Sequence, residues 1–318
     1  LAKHLIWGKR LKVEKNAPRI SVIICSYNRQ DYIIEAIDSL YNQTHPRWAY
    51  EVIVVDNNST DNTEALCKQY IAAHRDYNIL YLTEKRQGAS YARNTGAAKA
   101  QGDLLAFMDD DAVADNNFIE RILLFFDEHP DAAGMGGRIT PKYIPAEPVW
   151  MSHFVSSLVG NFDYSATTEV FRPNKYPLES NMIVRKEDFN RVHGFNTALP
   201  GVVGTLRIGG EGKDFFLKLQ AGGKKIYYDP SVKVQHVVEV KKLTREYMYR
   251  VASGIGRGER IRMLALGKWP YIKKILEYLF KLGASFVLAF IYTIKGTPAK
   301  ARPVVWFRID ALKGLFNK

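Results

Sequence analysis

Cysteine is almost absent: Cys25 and Cys67 are the only two among 318 residues. Two thiols make no disulfide framework, and these two lack metal-ligand spacing, so a reducing compartment and a fold held by its apolar core are expected. Residues 1–18 have no long apolar stretch and no small-residue cleavage site, which predicts that no secretory signal stands there. Internal repeats and low-complexity tracts are missing as well. With 47% hydrophobic and 25% charged residues the composition is that of an ordinary globular chain, long enough for one large domain with an appendage or for two modest ones.

An excess of acid is also lacking, but only on average. The net charge of +12 is carried by the flanks: residues 1–17 hold five basic residues against one acidic, residues 18–240 hold 23 against 28, and residues 241–318 hold 17 against four. A mildly acidic centre argues against nucleic acid as a partner. The tail mixes its basic residues with apolar runs, which suits an anionic membrane surface. One of these runs, Leu282–Ile294, has about 13 residues, short of the ~20 that a span needs. Its flanking lysines and the nearby Trp269, Tyr271, Phe280, Phe286, Tyr292, Trp306 and Phe307 fit an interfacial helical hairpin. Three segments are therefore expected: a basic extension over 1–17, a main domain over 18–240, and a helical, basic-apolar C-terminal region over 241–318.

Within the main domain, apolar runs at Ile20–Ser26, Glu51–Asp56, Ile79–Leu82 and Leu104–Met108 have the length and β-branching of strands buried on both faces. Ile33, Ile37 and Leu40 recur at helical spacing between the first two, and helices are predicted near Thr63–Ala73 and Ala89–Ala100. This alternation predicts right-handed crossovers and a parallel sheet. Further on, the pattern predicts a helix over Asn117–His129, a glycine-rich turn at Gly134–Gly137, and irregular chain with five prolines over 140–177. A strand at Asn181–Arg185, a helix from about Lys213 to Ala221, and strands near Lys224–Asp229 and Val232–Val237 follow.

In an open parallel sheet the residues just past the strand ends point into the ligand crevice. Asp56 ends Glu-Val-Ile-Val-Val-Asp, and Asp109-Asp110-Asp111 follows Leu-Leu-Ala-Phe-Met. Three adjoining carboxylates behind a buried strand repel one another. A hard divalent ion, Mg²⁺ or Mn²⁺, would relieve that repulsion and could bridge to a diphosphate. Taken singly, Asp56 is equally a turn-capping residue.

Several motifs occur in order: Ser-Val-Ile-Ile-Cys-Ser-Tyr-Asn-Arg (21–29), Val-Val-Asp-Asn-Asn-Ser-Thr-Asp (54–61), Gly-Ala-Ser-Tyr-Ala-Arg-Asn-Thr-Gly (88–96), Phe-Met-Asp-Asp-Asp (107–111), His-Gly-Phe-Asn (193–196) and Gly-Gly-Glu-Gly-Lys-Asp-Phe (209–215). Over two thirds of the chain, from Pro18 to His236, the sequence thereby resembles the family 2 glycosyltransferases, inverting enzymes of the GT-A fold. The resemblance implies a mixed, mostly parallel α/β sheet flanked by helices, and a nucleotide-sugar donor, UDP- or dTDP-linked in kind by its pyrimidine-binding Asp. It implies that Ser26, Tyr27, Asn28 and Arg29 line the nucleotide pocket, that Asp56 contacts the base, and that Arg93 and Asn94 lie near the donor. Asp109-Asp110-Asp111 looks like the family's Asp-x-Asp element: Asp109 and Asp110 would meet the nucleotide, while Asp109 and Asp111, with His236, would hold the metal. Glu179, Ser180 and Asn181 would adjoin the sugar or the acceptor, a glycan or lipid-linked hydroxyl. The family's base comes from a pair of acids at a helix start. Here the second acid of the pair is Gly212, which leaves Glu211 or Asp214 as the base, or a protein that binds a nucleotide sugar without transferring it. The enzyme is expected in the cytoplasm, at the inner face of the plasma membrane, in cell-surface polysaccharide synthesis.

Overall fold

The structure is a computed structural model and describes residues 17–317. The extension expected over 1–17 therefore lies, but for its last residue, outside the described residues. Its strands are β1 (Ile20–Ser26), β2 (Tyr50–Asp56), β3 (Ile79–Thr83), β4 (Leu104–Asp109), β5 (Ala112–Ala114), β6 (Ala132–Ile144), β7 (Glu169–Val170), β8 (Met182–Arg185), β9 (Gly201–Val203), β10 (Leu206–Ile208) and β11 (Lys225–Glu239). Its helices are α1 (Ile33–Tyr41), α2 (Thr63–Ala73), α3 (Ala89–Lys99), α4 (Phe118–Glu128), α5 (His153–Ser156), α6 (Lys186–Arg191), α7 (Glu211–Ala221), α8 (Arg245–Leu266), α9 (Lys268–Ile294) and α10 (Ala301–Phe316).

The main sheet runs β3-β2-β1-β4-β8-β6-β11-β5, with β7 paired to β11. Strands β3, β2, β1 and β4 are parallel, as the alternating pattern predicts. Strand β8 enters antiparallel between β4 and β6 and makes the sheet mixed. Side chains alternate across β1: Ile20, Val22 and Ile24 pack with Ile37 of α1 and Ile122 of α4, while Ile23 packs with Ala92 of α3 and Phe215 of α7. That two-sided burial explains why these strands read as unbroken apolar runs. Register then sets the site, because Ser26 lies beside Asp56 and Cys25 beside Asp109.

Three expectations need correction. Gly134–Gly137 is not a turn but part of β6. A Cβ at Gly134 would meet the carbonyl of Ile183 at 2.7 Å, and one at Gly137 would overlap the carbonyl of Val232, so these glycines serve close strand packing rather than chain reversal. The two strands expected over 224–237 are one, β11, kinked by a bulge between Asp229 and Lys233. Helix α7 starts at Glu211, two residues ahead of the predicted Lys213.

The C-terminal region is helical, as its pattern predicts, and it packs on the main domain. Small residues let backbone approach α8 on two sides: Gly256 lies against the carbonyl of Ala311 in α10, and Gly258 against that of Gly209. A charged cluster joins α8 to α7, with Glu259 accepting from Lys213 at 2.5 Å and from Arg262 at 3.0 Å. The apolar segment is longer than the 13-residue run, since α9 continues back to Lys268 for 27 residues and is long and apolar enough to cross a membrane by length and composition. Lys274, Glu277 and Lys281 pair with one another toward its packed side. Its outer face is left apolar, with Phe280 78% and Phe290 65% exposed.

Candidate active site

The ends of β1 and β2 make one wall. Asn28 takes a left-handed conformation, φ 54°, which turns the chain out of β1. Its amide donates to Ser59 Oγ at 3.0 Å and its Oδ1 accepts from the Thr60 amide at 2.7 Å. The two loops are thus tied together. Asp56 is buried and accepts from the Ser59 amide at 2.8 Å and from the Tyr81 hydroxyl at 2.6 Å. Each of its oxygens keeps a second lone pair for a further donor. Ser26 is buried at the end of β1, and its Oγ has no partner among the described residues. Burial pushes the Cys25 thiol up to about 12, which favours the neutral thiol over the nucleophilic thiolate.

The acidic triplet makes the floor. Asp110 accepts from the Tyr27 amide at 3.3 Å and faces Arg29 Nε at 3.4 Å. Arg29 also reaches Asp111 at 3.5 Å and Glu239 at 3.6 Å. Burial, together with the neighbouring Asp111, pushes the Asp110 carboxyl up. Burial works against ionised Asp111 too, but His236, Lys242 and Arg29 outweigh it and hold that carboxyl low. Lys242 Nζ stands 2.5 Å from Asp111, and His236 Nε2 stands 3.0 Å from it and 3.9 Å from Asp109. Asp109, Asp111 and His236 each offer a ligand atom within 4.8 Å of the others. His236 Nδ1 is buried with no partner among the described residues.

The third wall comes from α3, α7 and the turn before β8. Arg93 is buried and binds Glu211 at 3.1 Å and Asp109 at 3.8 Å. Ser180 Oγ donates to Asp109. Glu179 is half-buried and accepts from the Gly212 amide at 3.2 Å. Burial and the nearby Glu211 raise its carboxyl above the usual range.

Three of the residues singled out in the sequence stand apart from this cluster. Asn94 closes a two-way clasp with the backbone of Phe195, at 2.9 Å in each direction. Asn181 donates to the carbonyls of Arg138 and Val232 and so bridges β6 to β11. Asp214 points to α8, paired with Lys218 at 2.8 Å and Arg262 at 3.3 Å. In return the structure brings in Tyr81, Glu239 and Lys242, which the motifs did not mark. Tyr81 alone had a readable signal, since it sits two residues from the end of a strand that neighbours Asp56.

Residues 21–194, more than half of the chain, match the family described as Glycosyl transferase family 2. The chain belongs to that family. As a family 2 glycosyltransferase it is 26% identical over 221 residues to a glucosyl-dolichyl phosphate glucuronosyltransferase of Haloferax volcanii, covering 69% of each chain. It is 25% identical over 284 residues to a dolichyl N-acetyl-glucosaminyl phosphate diacetamido-dideoxy-glucuronosyltransferase of Methanococcus voltae, covering 86% of this chain and 84% of that one. Other relatives match over 33–38% of the chain, and there the chain spans less than half of their length. Among solved structures, the mannosyltransferase PcManGT from Pyrobaculum calidifontis, in complex with GDP-Man and Mn²⁺, superposes with a TM-score of 0.66 at 19% identity over 98% of this chain and 92% of that one. That likeness establishes the GT-A type of fold, including the C-terminal helices.

Proposed function

We propose that this glycosyltransferase is inverting and metal-dependent, and that it moves a sugar from a UDP- or dTDP-linked donor to a hydroxyl of a lipid-linked or cell-surface glycan. The observation that carries the reading is the convergence of Asp109, Asp111 and His236 on one point beside the nucleotide wall. Two carboxylates and an imidazole fit Mn²⁺ better than Mg²⁺, which favours oxygen ligands throughout. Such an ion, when bound, neutralises charge on the departing diphosphate. The protein's own groups do the rest. Asp56 takes the base, Asp109 and Asp110 meet the nucleotide, and Arg93 fixes Glu211 toward the sugar. The dolichyl-linked substrates in the names of the two archaeal relatives support a lipid-linked acceptor.

Calorimetric titration of UDP, dTDP and GDP, each in Mn²⁺ and in EDTA, tests this. One pyrimidine nucleotide should bind at least ~10-fold more tightly with Mn²⁺, a difference of about 1.4 kcal/mol. Equal affinity in both buffers would remove the metal, and no binding of any of the three would remove the donor.

The apolar outer face of α9 supports a membrane-associated enzyme. Trp269, Leu276, Phe280, Val287, Phe290 and Ile294 share that face, and all are more than half exposed. Because the opposite side is packed and carries paired charges, we read α9 as lying in the interface rather than crossing it. This agrees with a peripheral enzyme on the cytoplasmic leaflet, whose anionic lipids the basic tail would favour. Sedimentation with vesicles of phosphatidylglycerol and phosphatidylcholine should capture the protein, and the double substitution Phe280→Glu/Phe290→Glu should release most of it. Capture that is unchanged by the substitutions would rule out this face.

A further inference from the structure

We infer that Glu179 supplies the acid that is missing at position 212 and is the general base toward the acceptor. The inference rests on the transferase reading above. In the family pattern the residue after Glu211 carries a carboxylate, and here it is Gly212. The space is not empty. A Cβ on Gly212 would stand 2.6 Å from Glu179 Oε1, 2.9 Å from Cδ and 3.0 Å from Cγ. A carboxyl group from the turn before β8 therefore occupies the volume into which a side chain at 212 would project. It is anchored there by the Gly212 amide at the start of α7, where a helix favours negative charge.

The other acids are committed elsewhere. Glu211 is clamped by the buried Arg93 at 3.1 Å, and Asp214 faces Lys218 and Arg262. Glu179 is partly open to the cleft and has the proton affinity that a base needs near neutral pH, raised by burial and by Glu211. In the step, the acceptor oxygen bonds to the anomeric carbon as its proton passes to the Glu179 carboxylate. The bond from that carbon to the diphosphate oxygen breaks, and its electron pair leaves with the nucleoside diphosphate. Glycine at 212 and glutamate at 179 are thus two halves of one exchange.

Swapping them back is the test. With water as acceptor and the nucleotide sugar that the wild type hydrolyses fastest, Glu179→Gln should slow turnover by at least ~100-fold and leave Mn²⁺-dependent nucleotide affinity within about twofold. The double variant Glu179→Gly/Gly212→Asp should recover at least ~10-fold over Glu179→Gly, because it returns a carboxylate to the same volume. The ionisation of Glu179 is faced by Glu211, Arg93, Asp109 and Tyr176. Its rate limb should fall as pH drops through its raised pKa, and the swap should move that limb to lower pH. Thermal melting gives a readout independent of turnover. Gly212→Asp should destabilise the wild type but not Glu179→Gly, and additive effects of the two would show that the side chains do not share a site. Wild-type hydrolysis by Glu179→Gln would overturn the base assignment, whereas loss of nucleotide binding by the wild type would instead strike the transferase reading.

Discussion

Asp111→Asn is expected to abolish Mn²⁺-enhanced nucleotide binding and to lower turnover on the order of 10³-fold, equivalent to about 4 kcal/mol of lost transition-state stabilisation. The size follows from how much converges on this carboxylate. It is only 4% exposed, and its two oxygens meet His236, Lys242 and Arg29. Asparagine keeps the shape but removes the charge, so the metal loses an anionic ligand and Lys242, 3% exposed, loses its counter-charge. A buried cation left in that way costs roughly 3 kcal/mol or more. The variant should therefore also melt earlier, and a drop in activity alone would not separate the two effects. His236→Gln does separate them. It removes the imidazole but leaves Lys242 paired with Asp111, so Mn²⁺ affinity should fall at least ~10-fold with a smaller loss of stability. If His236→Gln binds Mn²⁺ and nucleotide like the wild type, the three side chains do not form the metal site. Calorimetry and a thermal melt on both variants decide the matter.

The acids at the strand ends were readable because strand direction and burial are local properties. Runs such as Val52–Val55 announce a central parallel strand, and the residue after such a run has only the crevice to face. Asp56 and Asp109 thus came from pattern alone, and the sheet register brought them to one edge. Partners at long range left no such trace. Lys242 meets Asp111 across 131 residues of chain, and nothing near either one predicts the other. Asn181 and Asn94 illustrate the opposite limit, since an amide that clasps two backbone groups looks in sequence like one that awaits a ligand. Glycine was ambiguous for a related reason. Gly134–Gly137 was expected to reverse the chain and in fact lets neighbouring strands approach, and both uses select the residue without a side chain.

Gly258→Ala is the second substitution with a large expected effect, because α8 has no room to yield at that point. A Cβ there would collide with the carbonyl of Gly209, and Gly209 in turn donates its amide to Gly254 at 3.1 Å. The obstacle is backbone on both sides, so relief requires α8 to move away from the turn 209–210 or the turn to move away from α8. Overpacking of this kind costs about 1–3 kcal/mol or more. Its consequence extends to catalysis, because Gly210 leads directly into Glu211 and the amide of Gly212, which together position the carboxyl groups at the start of α7. A shift of ~1 Å at that turn is enough to cost on the order of 10²-fold in rate. Gly256→Ala supplies the control. Its Cβ would collide with Ala311 in α10, on the side of α8 that faces away from the site. Both variants should therefore melt earlier by similar amounts, while only Gly258→Ala should lose turnover with nucleotide affinity largely kept. Equal turnover losses in the two would mean that α8 acts on the site through general stability, not through its contact with the turn ahead of Glu211.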